Sequence, residues 1–173
     1  DALSLFKTYH DFQEGWSNEY DGIDPGYLSA TISFLGKVYK ENKSKVILEI
    51  VSKSINMCSH FIYPNGFYAG SMGSRNTMHF YSHGFEIFKD IFPLANTISN
   101  IMLNNITSNK LVPPNIMSDR YLFYRVPELI LSYIDSNQTT KLKEKLPFQR
   151  DDYFKYFKNS KIWVKASKNN YIV

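Results

Sequence analysis

The sequence predicts a mainly α protein: a partial (α/α) toroid of antiparallel helix pairs, with a short β hairpin beginning at its C-terminus. Three observations carry this. Apolar residues recur at helical spacing over most of residues 27–134. The stretches between them are polar and partly glycine-rich. After residue 150 the pattern changes to adjacent β-branched and aromatic residues. The expected division is residues 1–150 as an incomplete toroid-like helical domain and residues 151–173 as linker and first strands of a β domain.

Residues 1–12 read as a short helix with Leu3, Leu5, Phe6 and Tyr9 inward. Residues 13–27 (QEGWSNEYDGIDPGY) form a loop, punctuated by three glycines and Pro25. Asp24 before Pro25 is the signature of a helix N-cap with proline in the first turn. The next stripe is Tyr27, Leu28, Ile32, Phe34, Leu35, Val38 and Tyr39. Ser44 caps the following helix, whose stripe runs from Val46 to Ile62 with Ser54 as a polar interruption. Pro64 and Gly66 stop it. Residues 84–104 are helical again, with Pro93 expected to kink or split them. Residues 105–116 form a loop. Ser118 or Asp119 opens a last helix with Tyr121, Leu122, Val126, Leu129, Ile130, Tyr133 and Ile134 inward, and Pro127 argues for a kink or early break. Residues 146–158 suggest a helical turn. Residues 161–166 (KIWVKA) suit a strand, 167–170 a turn, and 171–173 the start of a second strand. A hairpin ending so soon lacks a full sheet. The chain is therefore expected to be part of a longer protein, consistent with a start at Asp1 rather than Met.

Composition narrows the function classes. A chain of 173 residues with 43% hydrophobic and 21% charged residues can bury a core. Its net charge of +4 comes without a basic patch or nucleic-acid motif, so nucleic acid is not expected as a partner. No apolar run reaches about 18 residues, so no membrane span is expected. The lone Cys58 excludes an intrachain disulfide and any multi-cysteine metal site. The 13 tyrosines, 13 phenylalanines and 2 tryptophans either build an aromatic core or in part line a cleft.

Reactive groups concentrate in residues 64–86 (PNGFYAGSMGSRNTMHFYSHGFE), which hold four of the eight glycines. Arg75 and Asn76 form a pair suited to holding a carboxylate, the first as a planar fork and the second as a neutral donor. Their alternative is an ion-pair residue beside a turn asparagine. His79 and His83 are four apart and would share a face on one helical turn. That spacing also serves metals, but no HExxH is present and no metal or cofactor is expected. Imidazole suits proton transfer near neutrality. Tyr81 is either a phenol activated by a neighbouring cation such as Arg75, or a packed ring beside Phe80. In the first loop, Trp16 is a sugar platform or a lid on the core, Tyr20 and Tyr27 are rival tyrosines, and Glu19 is a contact residue. Tyr121, Tyr124 and Arg125 could line the same cleft.

Residues 14–40, 64–88 and 157–173 together resemble the heparinase II/III-like polysaccharide lyases, the last segment matching the passage from helical toroid to β-sandwich. The resemblance implies β-elimination of a uronic-acid-containing polysaccharide. His79, Tyr81, His83 and Asn76 would be catalytic, and Arg75, Trp16, Tyr20, Glu19 and Tyr27 would bind substrate. It implies an acidic polysaccharide or oligosaccharide as partner, the remainder of a longer chain, and a secreted or periplasmic setting. Two other classes stay open: a toroid glycoside hydrolase using carboxylates among Glu14, Glu19, Asp21 and Asp24, and a non-catalytic carbohydrate-binding fragment.

Overall fold

A computed structural model describes residues 2–74, 79–136 and 144–173. Six helices precede a small antiparallel sheet, so the mainly α expectation is met at that level. The helices are α1 (Ala2–Thr8), α2 (Pro25–Asn42), α3 (Lys45–Ser59), α4 (His83–Phe88), α5 (Pro93–Thr107) and α6 (Asp119–Ile134). The strands are β1 (His10–Asp11), β2 (Trp16–Ser17), β3 (Tyr153–Phe157), β4 (Ile162–Ser167) and β5 (Asn170–Ile172), with β1 paired to β2 and β3-β4-β5 forming the sheet.

The helix boundaries follow local chemistry. The Asp24 carboxylate accepts the Tyr27 N–H at 3.1 Å and Pro25 occupies the first turn, as its pattern predicts. Lys43, at φ 50°, closes α2 in the left-handed region, and the two-residue link to α3 turns the chain back on itself. Pro93 splits the expected long helix into α4 and α5 and becomes the first residue of α5. Pro127, by contrast, neither ends nor divides α6. Tyr9 and Leu5 are exposed, and the chain leaves α1 for β1, so the expected twelve-residue helix stops at Thr8.

The core lies between α2, α3, α4 and α5. Ile32, Ile47, Ile50, Val51, Phe61, Phe85, Phe88 and Ile98 are buried completely, each contributing roughly 1.5–3 kcal/mol. Gly84 lets α4 approach α2: a Cβ there would lie 2.6 Å from the Ile32 carbonyl oxygen. Opposite it, a Cβ on Gly36 would meet the Gly84 Cα at 3.3 Å.

The tail holds the expected helical turn, at Pro147–Gln149, and then a strand that the pattern did not single out, since Tyr153–Phe157 pairs along its whole length with Ile162–Ala166. The sheet shares the helical core through Phe157 and Val164. It is bolted to the end of α3 by His60, whose Nε2 meets the Tyr153 hydroxyl at 2.7 Å and whose carbonyl accepts the Tyr171 hydroxyl at 2.7 Å.

α6 departs in part from its expected orientation. Of the stripe expected inward, Tyr121, Leu122, Val126 and Leu129 are half-buried but Ile130, Tyr133 and Ile134 are 52–81% exposed, while Arg125 and Glu128 are buried. Polar bonds to α2 and α4 outweigh apolar burial here. Ser33 Oγ donates to Glu128 Oε2 at 2.6 Å, Lys37 Nζ pairs with Glu128, and Lys40 Nζ donates to Asp135 at 2.6 and 2.8 Å. These pairings, Ser33 to Glu128 and Lys40 to Asp135, make α2 and α6 run parallel.

Candidate functional site

The two polar loops meet. Asp24, besides capping α2, accepts the Ser74 N–H at 2.7 Å and the Ser74 hydroxyl at 2.8 Å. Gly73 is required beside it, since a Cβ there would sit 2.5 Å from the Asp24 carboxylate. The Tyr68 hydroxyl donates to the Pro25 carbonyl. The Tyr81 N–H donates to Ser29 Oγ at 3.2 Å, fixing the chain before α4 against α2.

Beyond this junction lies a cavity of about 230 Å³ lined by Gly26, Tyr27, Ala30 and Phe34 of α2, by Tyr81, and by Arg120, Tyr121 and Tyr124 of α6. Four phenols, one phenyl ring and one guanidinium make this a place for a ligand with flat apolar faces and polar edges. The parallel course of α2 and α6 brings these residues together. Both N-terminal halves open on the same side.

A second cation stands behind the Tyr81 wall. The Arg125 guanidinium carbon lies 4.6 Å from the centre of the Tyr81 ring, a cation–π arrangement. Arg125 is 2% exposed, and its Nε and Nη1 have no hydrogen-bond partner among the described residues. Burial pulls its pKa down to about 10, against the opposing pull of Tyr81 and Glu128. Even so it stays charged at neutral pH.

Around that charge the neighbouring groups are driven apart. Burial raises the Tyr81 phenol above its ordinary value; Arg125 opposes this, and Glu128, Tyr121 and Tyr124 reinforce it. A cation does act on Tyr81 in the acidifying direction, but it is Arg125, and burial outweighs it; Arg75, the cation named from the sequence, lies outside the described residues. Burial, then Arg125, lowers the His79 pKa, so its imidazole is neutral at pH 7. The His79 ring lies tilted by 40° against Tyr121 with centroids 4.4 Å apart, and its Nδ1 makes no hydrogen bond among the described residues.

The other candidates go elsewhere. Arg75 and Asn76 lie outside the described residues. His83 is the first residue of α4 and His79 precedes that helix, so the two do not share a helical face. His83 Nε2 meets Asp135 Oδ2 at 2.6 Å, locking α4 to the end of α6 rather than facing the cavity. Trp16 packs against the core, and its Nε1–H donates to Glu14 at 3.0 Å, which makes it a lid on the core. Glu14 also accepts the Asn159 and Ser160 N–H groups at 2.7 and 2.9 Å, so it anchors the β3–β4 connection. Tyr20 is 63% exposed at φ 52°, with its ring 6.2 Å from that of Tyr27. Glu19 bridges through its backbone to Gly22. Of the substrate-binding candidates, Tyr27 lines the cavity. Sequence reasoning passed over Arg120 and Phe34, which carry no signal beyond helix position, and gave Arg125 no more than a place in the cleft. No group of three or more His, Cys, Asp or Glu side chains suited to a metal occurs among the described residues. None of their helices is long and apolar enough to cross a membrane.

Comparison with protein-family models, curated proteins and solved structures finds no match.

Proposed function

We propose that the protein acts on an acidic, uronate-containing polysaccharide at the tyrosine-lined cavity and cleaves it by β-elimination. The observation that carries this reading is geometric: the Tyr81 phenol and Arg120 stand in the wall of one cavity, and the His79 ring lies behind that wall, 4.4 Å from the ring of Tyr121. His79 takes the proton alpha to the carboxylate. The electron pair left behind forms the carbon–carbon double bond as the glycosidic bond breaks towards oxygen, and Tyr81 protonates the departing oxygen. Arg120 at the wall and Arg125 behind it supply the positive field that an enolate-like charge needs. Tyr27, Phe34 and Tyr124 offer rings for sugar faces. The parallel α2 and α6, with the tight α2–α3 turn, support a toroid-like arrangement of helix pairs.

Of the four first-loop carboxylates, Glu14 and Asp24 already accept structural hydrogen bonds, which narrows the hydrolase reading to Glu19 and Asp21. The test is incubation with uronate polysaccharides, following ultraviolet absorbance of an unsaturated product. Tyr81→Phe is expected to lower turnover by roughly 10²–10⁴-fold with unchanged circular dichroism. Reducing ends without absorbance would instead indicate a hydrolase, and binding without either product a carbohydrate-binding module.

A further inference from the structure

The sheet has one face on the core and one face open. Phe157, Val164 and Ala166 are buried on the inner face. Strand alternation and register set Phe154, Tyr156, Trp163, Lys165 and Ile172 together on the outer one. There Tyr156 stands directly across from Trp163, and Lys165 stands between Phe154 and Ile172. The four apolar side chains of this face are 46–64% exposed, and none of them joins the core.

Positive charge gathers at the same place. Residues 153–173 hold five lysines and no acidic residue, whereas the rest of the chain holds 15 basic and 16 acidic residues. The net positive charge of the chain therefore sits on the sheet. These lysines are spaced apart in the sequence, and the strands bring them together. Lys165 lies within the open face, Lys158 and Lys161 in the β3–β4 connection at one end, and Lys168 in the β4–β5 turn at the other. All four are exposed, and none forms an ion pair among the described residues. The nearest acids along the chain, Asp151 and Asp152, precede β3 and follow Arg150.

We propose that this face is a second binding site, separate from the cavity, for an acidic polysaccharide. Rings on a sheet surface present apolar faces with polar edges, which suits the C–H faces and hydroxyl rims of sugars. Tyr156 and Trp163 are cross-strand neighbours, about 4.5–5.5 Å apart at Cβ, so their rings make one platform, and Phe154 extends it along β3. Exposed lysines supply separate point charges, which match carboxylates or sulfates spaced along a polymer. They are not the arginine forks that grip phosphates and base edges, and this favours a polysaccharide over a nucleic acid. The choice of a uronate polymer rests on the function proposed above: the sheet anchors the chain that the cavity acts on.

The test titrates the whole 173-residue chain with alginate, polygalacturonate and chondroitin sulfate by calorimetry, with dextran and an oligothymidylate as controls. The expected result is binding of at least one uronate polymer that added salt weakens. Trp163→Ala and Tyr156→Ala are each expected to weaken it roughly 10-fold with circular dichroism unchanged, and Lys165→Gln to reduce its dependence on salt. Tyr81→Phe, in the cavity wall, is expected to leave this binding intact. A lack of unsaturated product would thus count against the lyase reading and leave the Trp163-dependent binding standing. No binding, or binding indifferent to the three sheet variants, would overturn the sheet site whatever the turnover. Equal affinity for dextran or oligothymidylate, or self-association that Trp163→Ala abolishes, would overturn it too. Should the alanine variants unfold, lysine acetylation of the unaltered protein gives a second reading. Bound polymer is expected to protect Lys165 and to leave Lys45, at the far end of α3, reactive. Equal labelling of Lys165 with and without polymer would refute the proposal.

Discussion

His60 makes the protein sensitive to mild acid. It is 1% exposed, its Nδ1–H donates to the Asn56 carbonyl at 2.8 Å, and its Nε2 therefore accepts the Tyr153 hydroxyl. A second proton would fall on Nε2, against that hydroxyl. Burial, with Arg150 and Lys155 adding to it, brings its pKa from 6.5 to about 4, although hydrogen bonds to the Asn56 and Met57 backbones oppose this. Because the folded value is depressed, the unfolded chain binds the proton first. Stability is fully present above pH 6.5 and is lost as pH falls from there to about 4. At 1.36 kcal/mol per unit, the loss through His60 is about 3 kcal/mol. His10, also brought to about 4 by burial, adds a loss of the same sign and similar size. Urea unfolding at intervals between pH 7 and 5 measures the slope above the carboxylate range. Each of the two histidines is expected to contribute about a quarter of a proton at pH 7, rising to nearly one, about 1.4 kcal/mol per pH unit, towards pH 5. His60→Phe is expected to be less stable at pH 7, because Tyr153 and Asn56 lose their partner, yet to remove one proton from the slope. An unchanged slope, or an imidazole titrating near pH 6.5 by NMR in the folded protein, would refute the reasoning.

Other substitutions test the remaining contacts. Arg125→Met removes a buried cation whose Nε and Nη1 have no hydrogen-bond partner among the described residues; it is expected to leave stability unchanged or raise it by about 1 kcal/mol in thermal unfolding, while turnover on uronate substrates falls. Equal loss of stability and activity would make Arg125 purely structural. Gly84→Ala drives a methyl group into the Ile32 carbonyl and is expected to cost about 1–3 kcal/mol or more, whereas Gly22→Ala, with nothing within 4 Å, changes stability by less than about 0.5 kcal/mol. Glu14→Ala removes the acceptor for Asn159, Ser160 and Trp16 and is expected to cost about 1–3 kcal/mol, with a change in Trp16 fluorescence on release of its Nε1–H.

Helix positions were readable wherever the signal was local. Asp24 with Pro25 marked the start of α2, and Pro93 marked the start of α5, because a cap or a ring acts on its own turn. The α3 stripe was readable for the same reason, with Ile47, Ile50, Val51 and Ile55 all buried. The tyrosine cavity was less so. Tyr27 and Tyr81 drew notice as reactive residues, but Phe34 and Arg120 are ordinary helix residues until α2 and α6 are set side by side.

By itself, then, the sequence determined where the main helices lie, that Asp24 with Pro25 and Pro93 start two of them, and that the residues before α4 are rich in polar chemistry. Tertiary structure alone decided which side of α6 faces inward, that residues 153–157 are a strand, and that His83 is a strut while His79 and Tyr81 stand beside Arg125. The physical reason is common to all three. Helical periodicity reports that a helix has two faces, not which one is covered. In α6 the choice fell to hydrogen bonds and ion pairs with residues about 50–100 positions away, between Glu128 and Ser33 and Lys37 and between Asp135 and Lys40 and His83. The same distance along the chain separates Tyr153 from His60. Such partners have no signature in a local window.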